Sequence, residues 1–404
     1  MDKKPEKLVP EVRFKGFTDD WEQRKLGEAL TGFEYGLNTP ATDYDGINKY
    51  LRITDIDDVS HKFDISHLTS PKLKDDNYLL ANGDILFART GASVGKSYRY
   101  SNIDGKVYYA GFLIKAHIKD HFSTNFIFDT TLLPRYHYFV QVTSMRSGQP
   151  GINAKEYQKY IIYTPSENEQ NKISDLILTI QKLIDLQQRK LEQLKQLKKA
   201  LLQQLFVEKN SKHPILRFKN FNGDWEERKL SDIANYRNGK AHEQYIDMNG
   251  IYTVVNSKFI STNGKVKKFS NEPIELLKKG EIAFVLSDVP NGKALAKAYL
   301  IDSDNKYSLN QRIAGISPSS DINSYFLYVL MNRNRYFLKF DDGVGQTNLS
   351  KKDIEEFKEN YPLFDEQQKI ANLFSQIQAL ISLQQNKHTQ LIALKKYLLQ
   401  KLFI

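Results

Sequence analysis

Two stretches of the chain carry apolar residues at alternating spacings of three and four. One stretch follows Pro165 and the other follows Pro362. Such spacing places the apolar side chains on one face of an α-helix and is typical of coiled coils. Each stretch covers about 40 residues, or roughly 60 Å at 1.5 Å per residue, which is long for a globular domain. The predicted apolar seams consist of Ile173, Ile177, Ile180, Ile184, Leu191, Leu194, Leu201 and Leu205, and of Ile370, Phe374, Ile377, Ile381, Leu391, Leu398 and Leu402.

The two seams are related by an offset of 197 residues, and their polar interruptions largely coincide. A sustained heptad pattern needs a partner helix, so we expect the two helices to pack against each other. The short connection after the first helix favours an antiparallel pair. The alternative is that each helix is a surface element of its own domain. At the start of the first helix, Ser166 and Glu169 have the spacing of a capping box.

Two further segments of the sequence are repeated in the second half of the chain. RFKGFTDDWEQRKL at 13–26 recurs as RFKNFNGDWEERKL at 217–230, with ten of fourteen positions identical and with both tryptophans, Trp21 and Trp225, at the same place. We name this the first repeated segment. The second repeated segment is GQPGINAKEYQKYIIYTPSENEQNKI at 148–173, which is matched by GQTNLSKKDIEEFKENYPLFDEQQKI at 345–370. The tryptophans lie in shared sequence, so core packing is favoured over base stacking.

Between the repeated segments lie divergent bodies with short β-rich runs. Strands are predicted at 50–56, 83–90, 106–118, 250–260, 280–288 and 311–318, and helices near 126–143 and 325–338. The predicted fold class is α+β, with two mixed α/β domains in tandem pseudo-repeat and two long helices packed as an antiparallel coiled coil. The predicted boundaries are 1–165 and 209–362 for the domains and 166–208 and 363–404 for the helices.

Composition excludes several classes of protein. The chain has no cysteine, which rules out disulfides, thiol nucleophiles and Cys-ligated metals and indicates the reducing cytoplasm. The charged N-terminal sequence MDKKPEK lacks the apolar stretch of a signal peptide. No uninterrupted apolar segment is long enough to span a bilayer, so no membrane role is expected. The net charge of +10 favours a polyanionic partner.

Motifs for catalysis are weak. GASVGKS at 91–97 resembles a phosphate-binding loop but is one residue short. Asp342, Glu356 and Lys358 only loosely imitate a nuclease site, and His117 and His121 lack a third metal ligand. We therefore expect a binding protein with no catalytic residues, no metal and no cofactor of its own.

The repeated segments, together with the helix endings ALLQQLF and YLLQKLF, carry a family resemblance over essentially the whole chain. The sequence resembles the specificity subunits of bacterial type I restriction-modification enzymes. The resemblance implies a non-catalytic subunit with two target-recognition domains. It further implies two adenine methyltransferase subunits and two translocase-nuclease subunits as partners, with S-adenosylmethionine, ATP and Mg bound by those partners.

The resemblance also implies how double-stranded DNA would be recognised. Each domain would read one half-site of a split, asymmetric sequence, mostly in the major groove, while the helix pair sets the number of unread base pairs. Partner subunits would flip the target base. From their positions in polar turns we expect DNA contacts from Arg89, Thr90, Ser93, Lys96 and Gln149 in the first half and from Asn291, Lys293, Gln346, Thr347 and Asn348 in the second.

One function of a different class stays open. A non-catalytic tandem-repeat scaffold would bind protein through both bodies and assemble through its heptads. Such a scaffold would bind DNA weakly and without regard to sequence, with the steep salt dependence of non-specific contacts.

Overall fold

A computed structural model of the chain describes residues 8–145, 148–207 and 211–404. These residues form two compact units, one built from the chain up to Gln188 together with Asn386–Ile404, and the other from Arg189–Gln385. We call them unit 1 and unit 2. The N-terminal segment 1–7 and the predicted boundary between residues 208 and 209 lie outside the described residues.

Unit 1 combines short strands with helices. Its strands are β1 (Glu22–Lys25), β2 (Leu30–Tyr35), β3 (Ala41–Asp43), β4 (Lys49–Leu51), β5 (Thr69–Pro71), β6 (Asp84–Ala88), β7 (Ser97–Arg99), β8 (Val107–Tyr109), β9 (Leu113–Ile118) and β10 (Ile161–Thr164). Its short helices are α1 (Thr124–Thr130), α2 (Pro134–Ser144) and α3 (Ala154–Tyr157), before the long helix α4 (Glu167–Gln204). The main sheet has the order β2-β9-β6-β7, and β4 pairs in parallel with β8.

Unit 2 repeats this arrangement. Its strands are β11 (Glu226–Lys229), β12 (Ala234–Asn238), β13 (Tyr252–Val255), β14 (Phe269–Ser270), β15 (Leu276–Leu277), β16 (Ile282–Val285), β17 (Ser287–Asp288), β18 (Ala298–Leu300), β19 (Tyr307–Leu309), β20 (Ile313–Pro318), β21 (Thr347–Asn348) and β22 (Lys358–Tyr361). Its helices are α5 (Leu230–Ile233), α6 (Ser257–Ser261), α7 (Ser324–Met331), α8 (Arg335–Leu338) and α9 (Lys351–Glu355), before the long helix α10 (Phe364–Lys401). The main sheet, β12-β20-β16-β18, and the parallel pair β13 and β19 match their counterparts in unit 1.

The two repeated segments meet inside each unit. Strands β1 and β10 pair antiparallel in unit 1, and β11 and β22 do the same in unit 2. A buried ion pair accompanies each ladder. The Arg13 guanidinium donates to both oxygens of Glu169 at 2.7 and 2.8 Å, and Arg217 donates to Glu366 at 2.8 and 2.7 Å. Both carboxylates lie at the start of a long helix, so each pair joins the beginning of a body to its end.

The tryptophans of the first repeated segment lie in the hydrophobic cores. Trp21 and Trp225 are each 2 % exposed. Trp21 contacts Phe126 edge-on with ring centroids 5.7 Å apart, and Trp225 contacts Phe326 in the same way at 6.1 Å. The prediction that both residues serve core packing is confirmed.

The long helices pack against each other in opposite directions within each unit. In unit 1, Ile173 and Ile177 share a core cluster with Leu402, while Lys395 donates to the side chain of Gln181 at 2.8 Å. Contacts therefore move backwards along α10 as they advance along α4. The predicted antiparallel pairing is confirmed.

Unit 2 shows the same direction of pairing. Leu205 shares a core cluster with Ile370 and Phe374, and Lys198 donates to Gln378 at 2.7 Å. The seam positions are buried or half-buried throughout both helices. Buried are Ile173, Ile177, Ile180, Ile184, Leu191, Leu205, Ile370, Phe374, Ile377 and Leu402, and half-buried are Leu194, Leu201, Ile381, Leu391 and Leu398.

Some predicted strands are shorter than expected. The strand predicted at 250–260 ends at Val255, because the Asn256 side chain accepts a hydrogen bond from the Phe259 amide at 2.9 Å and caps helix α6. The run at 106–118 is split into β8 and β9. There the backbone of Gly36 passes so close that a Cβ at that position would lie 2.2 Å from the carbonyl oxygen of Ala110.

One buried group distinguishes the units. Asp129 of α1 is 5 % exposed, and its Oδ2 atom has no hydrogen-bond partner among the described residues. Burial raises the pKa of this carboxyl to about 7, although the charges of Lys395 and Arg99 oppose the shift. The N-cap residues Ser123 and Asn323 align helix α1 with helix α7. In this alignment Val329 of unit 2 corresponds to Asp129 of unit 1. Unit 1 therefore tolerates a buried acid where unit 2 has a hydrocarbon.

We expect Arg13→Met to lower the free energy of unfolding by about 3 kcal/mol, because it leaves the carboxylate of Glu169 buried without a counter-charge. Chemical denaturation monitored in unit 1 measures this loss. Lys74→Met is the control, since it breaks the exposed pair with Asp45 (2.7 Å) and should cost less than about 1 kcal/mol. Equal losses in the two variants would contradict a special role for the buried pair.

Asp129→Asn should stabilise unit 1 at pH 8 and have a much smaller effect at pH 4. The pKa of Asp129 is about 7 when folded, so the folded state keeps a proton that the unfolded chain releases near pH 4. Stability from this proton is fully present below about pH 4 and is lost as the pH rises from 4 through 7. The expected gain at pH 8 is on the order of 1 kcal/mol or more, measured from melting curves at both pH values. A variant less stable than the wild type at pH 8 would contradict the assignment.

Candidate nucleic-acid interface

Two loops of unit 1 lie side by side at the end of strand β6. One loop follows β6 and begins with Arg89 and Thr90, and the other is the stretch 148–153 before α3. Thr90 forms an isolated β-bridge with Gly151, and the Gly91 amide donates to the Pro150 carbonyl at 3.0 Å. The side-chain amide of Gln149 packs against Gly91. The structure thus brings together Arg89, Thr90 and Gln149, which are far apart in sequence.

Two aromatic residues contact Arg89, one through its ring and one through its backbone. Its guanidinium lies over the ring of Tyr35 with 4.9 Å to the ring centroid, and its amide donates to the carbonyl of Phe112 at 3.0 Å. Tyr35 is 44 % exposed and Phe112 is 58 % exposed. An arginine stacked on an exposed ring is suited to bidentate hydrogen bonding. Sequence reasoning missed both aromatics, because only the fold places them beside Arg89.

Ser93 and Lys96 lie at the far end of the same loop. Ser93 closes a 3₁₀ turn, and its carbonyl accepts from the Lys96 amide at 3.0 Å. The Lys96 ammonium pairs with Asp58 at 2.6 Å and donates to the Ile56 carbonyl at 3.2 Å. Lys96 is thus already engaged within the domain, unlike the exposed Gln149.

Unit 2 brings the matching loops together in a similar way. Strands β17 and β21 pair so that Ser287 faces Asn348 and Asp288 faces Thr347. The side-chain amide of Gln346 donates to Ser287 at 3.3 Å. The predicted contact residues Gln346, Thr347 and Asn348 therefore lie next to the loop that carries Asn291 and Lys293.

The carboxylate of Asp341 ties the two loops of unit 2 to each other. It accepts from Thr347 Oγ1 at 3.3 Å and from the Gly343 amide at 3.1 Å. Asn291 in turn donates from its side chain to the Gly343 carbonyl at 3.4 Å. Lys293 lies in the same loop with an exposed side chain.

Asp288 shapes this loop from inside. Its Oδ2 atom accepts from the amides of Ala294 and Leu295 at 2.6 and 3.0 Å. Gly292 passes so close that a Cβ there would lie 2.1 Å from Asp288 Oδ2. Only glycine fits at this position, and the loop therefore presents Asn291 and Lys293 on a fixed backbone.

The two units use one backbone arrangement with different side chains at this place. Strands β6 and β16 occupy the same position in their sheets, and residue Arg89 of unit 1 matches Leu286 of unit 2. The Leu286 amide donates to the carbonyl of Arg312 at 3.2 Å, as the Arg89 amide does to Phe112. Arg312 is exposed in the place of Phe112.

The candidate catalytic groups do not converge. Glu356 pairs with Lys229 at 3.6 Å and Lys358 pairs with Glu227 at 2.6 Å, while Asp342 accepts from backbone amides in its own turn, which lowers its pKa. Within the described residues, no group of three or more His, Cys, Asp or Glu side chains is placed to hold a metal ion. No helix in that part of the chain has the length and apolar character needed to cross a membrane.

We expect Asp288→Ala to loosen the loop 289–295 without affecting the sheet. The amides of Ala294 and Leu295 would lose their acceptor, so their hydrogen exchange should become faster, while the amides of β16 remain protected. Asp304→Ala is the control, because Asp304 accepts from the Lys279 amide at 2.8 Å instead. Unchanged exchange in 289–295 would show that Asp288 does not hold the loop.

The sequence of the chain is similar to those of known proteins. A sequence model described as the type I restriction modification DNA specificity domain matches residues 18–196 and 222–393. The chain is 22 % identical over 406 aligned residues to the type I restriction enzyme MjaVIII specificity subunit of Methanocaldococcus jannaschii, covering 95 % of this chain and 92 % of that protein.

Solved structures share the fold at low sequence identity. The S subunit of a type I restriction-modification system from M. genitalium superimposes with a TM-score of 0.67 and 15 % identity, covering 98 % of this chain and 99 % of that one. A chain from a study of assembly and conformational transition in the type I R-M system gives a TM-score of 0.55 at 15 % identity, covering 99 % of each chain. The family match spans both halves of the sequence and confirms the resemblance: this chain belongs to the family of type I restriction-modification DNA specificity domains.

Proposed function

We propose that this chain reads a split, asymmetric DNA sequence for a type I restriction-modification complex, with one half-site read by each unit. The observation that carries the proposal is the pair of matching loop clusters. Both units build them on the same sheet, yet Arg89 and Phe112 in one are replaced by Leu286 and Arg312 in the other. Phe112 and Arg312 are exposed, whereas Arg89 is half-buried and Leu286 is buried in the core of unit 2. The two units therefore present different surface chemistry on one scaffold, which recognition of two different half-sites requires.

The loop clusters support the predicted contact residues. Arg89 has the geometry for a bidentate contact to guanine, and the amides of Gln149, Asn291, Gln346 and Asn348 suit adenine. Thr90, Ser93, Lys293 and Thr347 are suited to phosphates or to base edges. Lys96 would have to leave Asp58 to take part.

The chain itself would be non-catalytic and would act in the cytoplasm with partners. The relatives are specificity subunits, and we infer that two methyltransferase subunits and two restriction subunits assemble with this one. S-adenosylmethionine, ATP and Mg would be bound by those partners. We assign 1–165 and 209–362 to the recognition domains. The helices at 166–208 and 363–404 pack through the seam residues and would offer their exposed faces to the methyltransferase subunits.

Single-molecule sequencing tests the proposal. A methylation-free host expresses a cognate methyltransferase subunit with and without this chain. We expect methylated adenines at one split motif only when the chain is present. Exchange of residues 1–165 for those of a relative should change one half of the motif and leave the other half intact. If the methyltransferase copurifies with the chain but no adenine is modified, the scaffold function replaces the DNA-reading function.

Arg89→Ala should relax the sequence preference at one position of the first half-site, at a cost of about 1–3 kcal/mol in binding. Arg89→Lys is the matched variant, because lysine keeps the charge but not the planar fork of donors. If Arg89 reads a base, both variants broaden the methylated motif. Full retention of the motif in Arg89→Lys would assign Arg89 to a phosphate instead.

A further inference from the structure

A basic groove lies on unit 1, outside the loop clusters. It has a volume of about 560 Å³ and is lined by Lys25 of β1, by Lys155 and Lys159 at either end of α3, and by Glu28 and Phe33. With three lysines and one glutamate, the charged lining sums to +2. Among the described residues, no carboxylate forms a salt bridge with any of the three ammonium groups. The groove therefore presents uncompensated positive charge to solvent.

The groove lies next to the loop cluster that holds Arg89. Phe33 lines the groove, and Tyr35, two residues further along strand β2, carries the Arg89 guanidinium on its ring. Alternate residues of a strand lie on one face, so Phe33 and Tyr35 face the same side. The Ala154 amide at the start of α3 donates to Tyr35 Oη at 3.4 Å, one residue before Lys155. Any long ligand on the Arg89 cluster would reach the groove directly.

The matching surface of unit 2 lacks this excess of positive charge. The ladders β1–β10 and β11–β22 place Lys229 where unit 1 has Lys25. The capping boxes at Asn153 and Ser350 place Glu356 where unit 1 has Lys159.

The same matching places Lys352 at Lys155, Glu355 at Gln158 and Asp232 at Glu28. Two lysines against three acids sum to −1 in unit 2. There, Lys229 pairs with Glu356 at 3.6 Å. Lys351, which pairs with Glu355 at 3.4 Å, adds one positive charge beside these positions. The repeated scaffold has thus kept the position and lost the excess of positive charge.

We propose that Lys25, Lys155 and Lys159 bind DNA backbone phosphates that flank the first half-site, on one side of the recognised sequence only. Given the proposed function, on which this assignment rests, the polyanion on the Arg89 cluster is a DNA duplex. A duplex continues past its half-site, and the groove lies where strand β2 leads away from that cluster. A docking site for identical methyltransferase subunits would need like surfaces on both units, and the difference in charge between the two surfaces opposes that use. The three lysines add affinity without reading sequence.

Salt-dependent binding tests the assignment on the assembled complex of this chain with its methyltransferase subunit. The dissociation constant is measured for a duplex carrying the methylated motif, over a series of KCl concentrations. The association constant falls as the salt concentration rises, and each lysine–phosphate interaction contributes about 0.9 to the steepness of that fall on a log–log plot. The triple variant Lys25→Gln/Lys155→Gln/Lys159→Gln should therefore reduce the steepness by about 2 to 3. Hydroxyl-radical footprints should also shorten, and only beyond the first half-site.

The matched control carries Lys229→Gln and Lys352→Gln, the positions that correspond to Lys25 and Lys155. It removes two positive charges from unit 2, and we expect the wild-type slope and the wild-type footprint. The methylated motif should stay the same in all variants, and melting curves check that each folds.

Two results would overturn the assignment of the groove. One is a wild-type slope in the triple variant, and the other is an equal fall in slope in the control, which would show a general effect of net charge. Failure of the proposed function looks different, because the wild-type complex itself would then show no preference for any sequence.

Discussion

The pairing of the two repeated segments holds each unit together. A four-residue antiparallel ladder joins the start of a body to its end, and a buried arginine–carboxylate pair closes the junction at Arg13–Glu169 and Arg217–Glu366. The carboxylates are almost completely buried, at 0 % and 2 % side-chain exposure, and such groups are tolerated only with a hydrogen-bonded counter-charge. Substitution of either charged partner should therefore destabilise its unit. The residues between the two repeated segments are not restricted by this pairing.

This division explains why the halves are alike at their ends and unlike between them. The ladder and the tryptophan core set the geometry of the main sheet, and the sheet sets where the loops after β6 and β16 emerge. Tyr35, Phe112 and Arg312 lie outside the core, whereas Leu286 packs within it. Arg89, Phe112 and Tyr35 are exchanged for Leu286, Arg312 and Asn238 while the strand pairing stays the same. New surface chemistry on a constant frame is suited to recognition of different targets.

The long helices also repeat their contacts in the two units, and the units differ in one buried group near them. Lys395 donates to Gln181 in unit 1, and Lys198 donates to Gln378 in unit 2, so the lysine that interrupts each seam is satisfied by a glutamine of the other helix. Burial lowers the pKa of both lysines. Unit 1 adds the buried Asp129 near Lys395, whereas Val329 stands at that position in unit 2. The helix pair is therefore a repeated design whose electrostatic environment is specific to each unit.

Periodicity and repetition were enough to predict the helices, their antiparallel pairing and the two mixed domains, because heptad spacing and strand composition are local properties of the sequence. Predictions from local sequence failed where long-range contacts determine the structure. Asn256 turns a predicted strand into a helix, and the close approach of Gly36 splits another. Glu169, assigned by spacing to a capping box, gives both oxygens to Arg13. The partners of Arg89, the ion pair of Lys96 with Asp58 and the basic groove join residues from distant parts of the chain. Only the tertiary structure could determine them, since no spacing along the sequence records which side chains meet across a sheet.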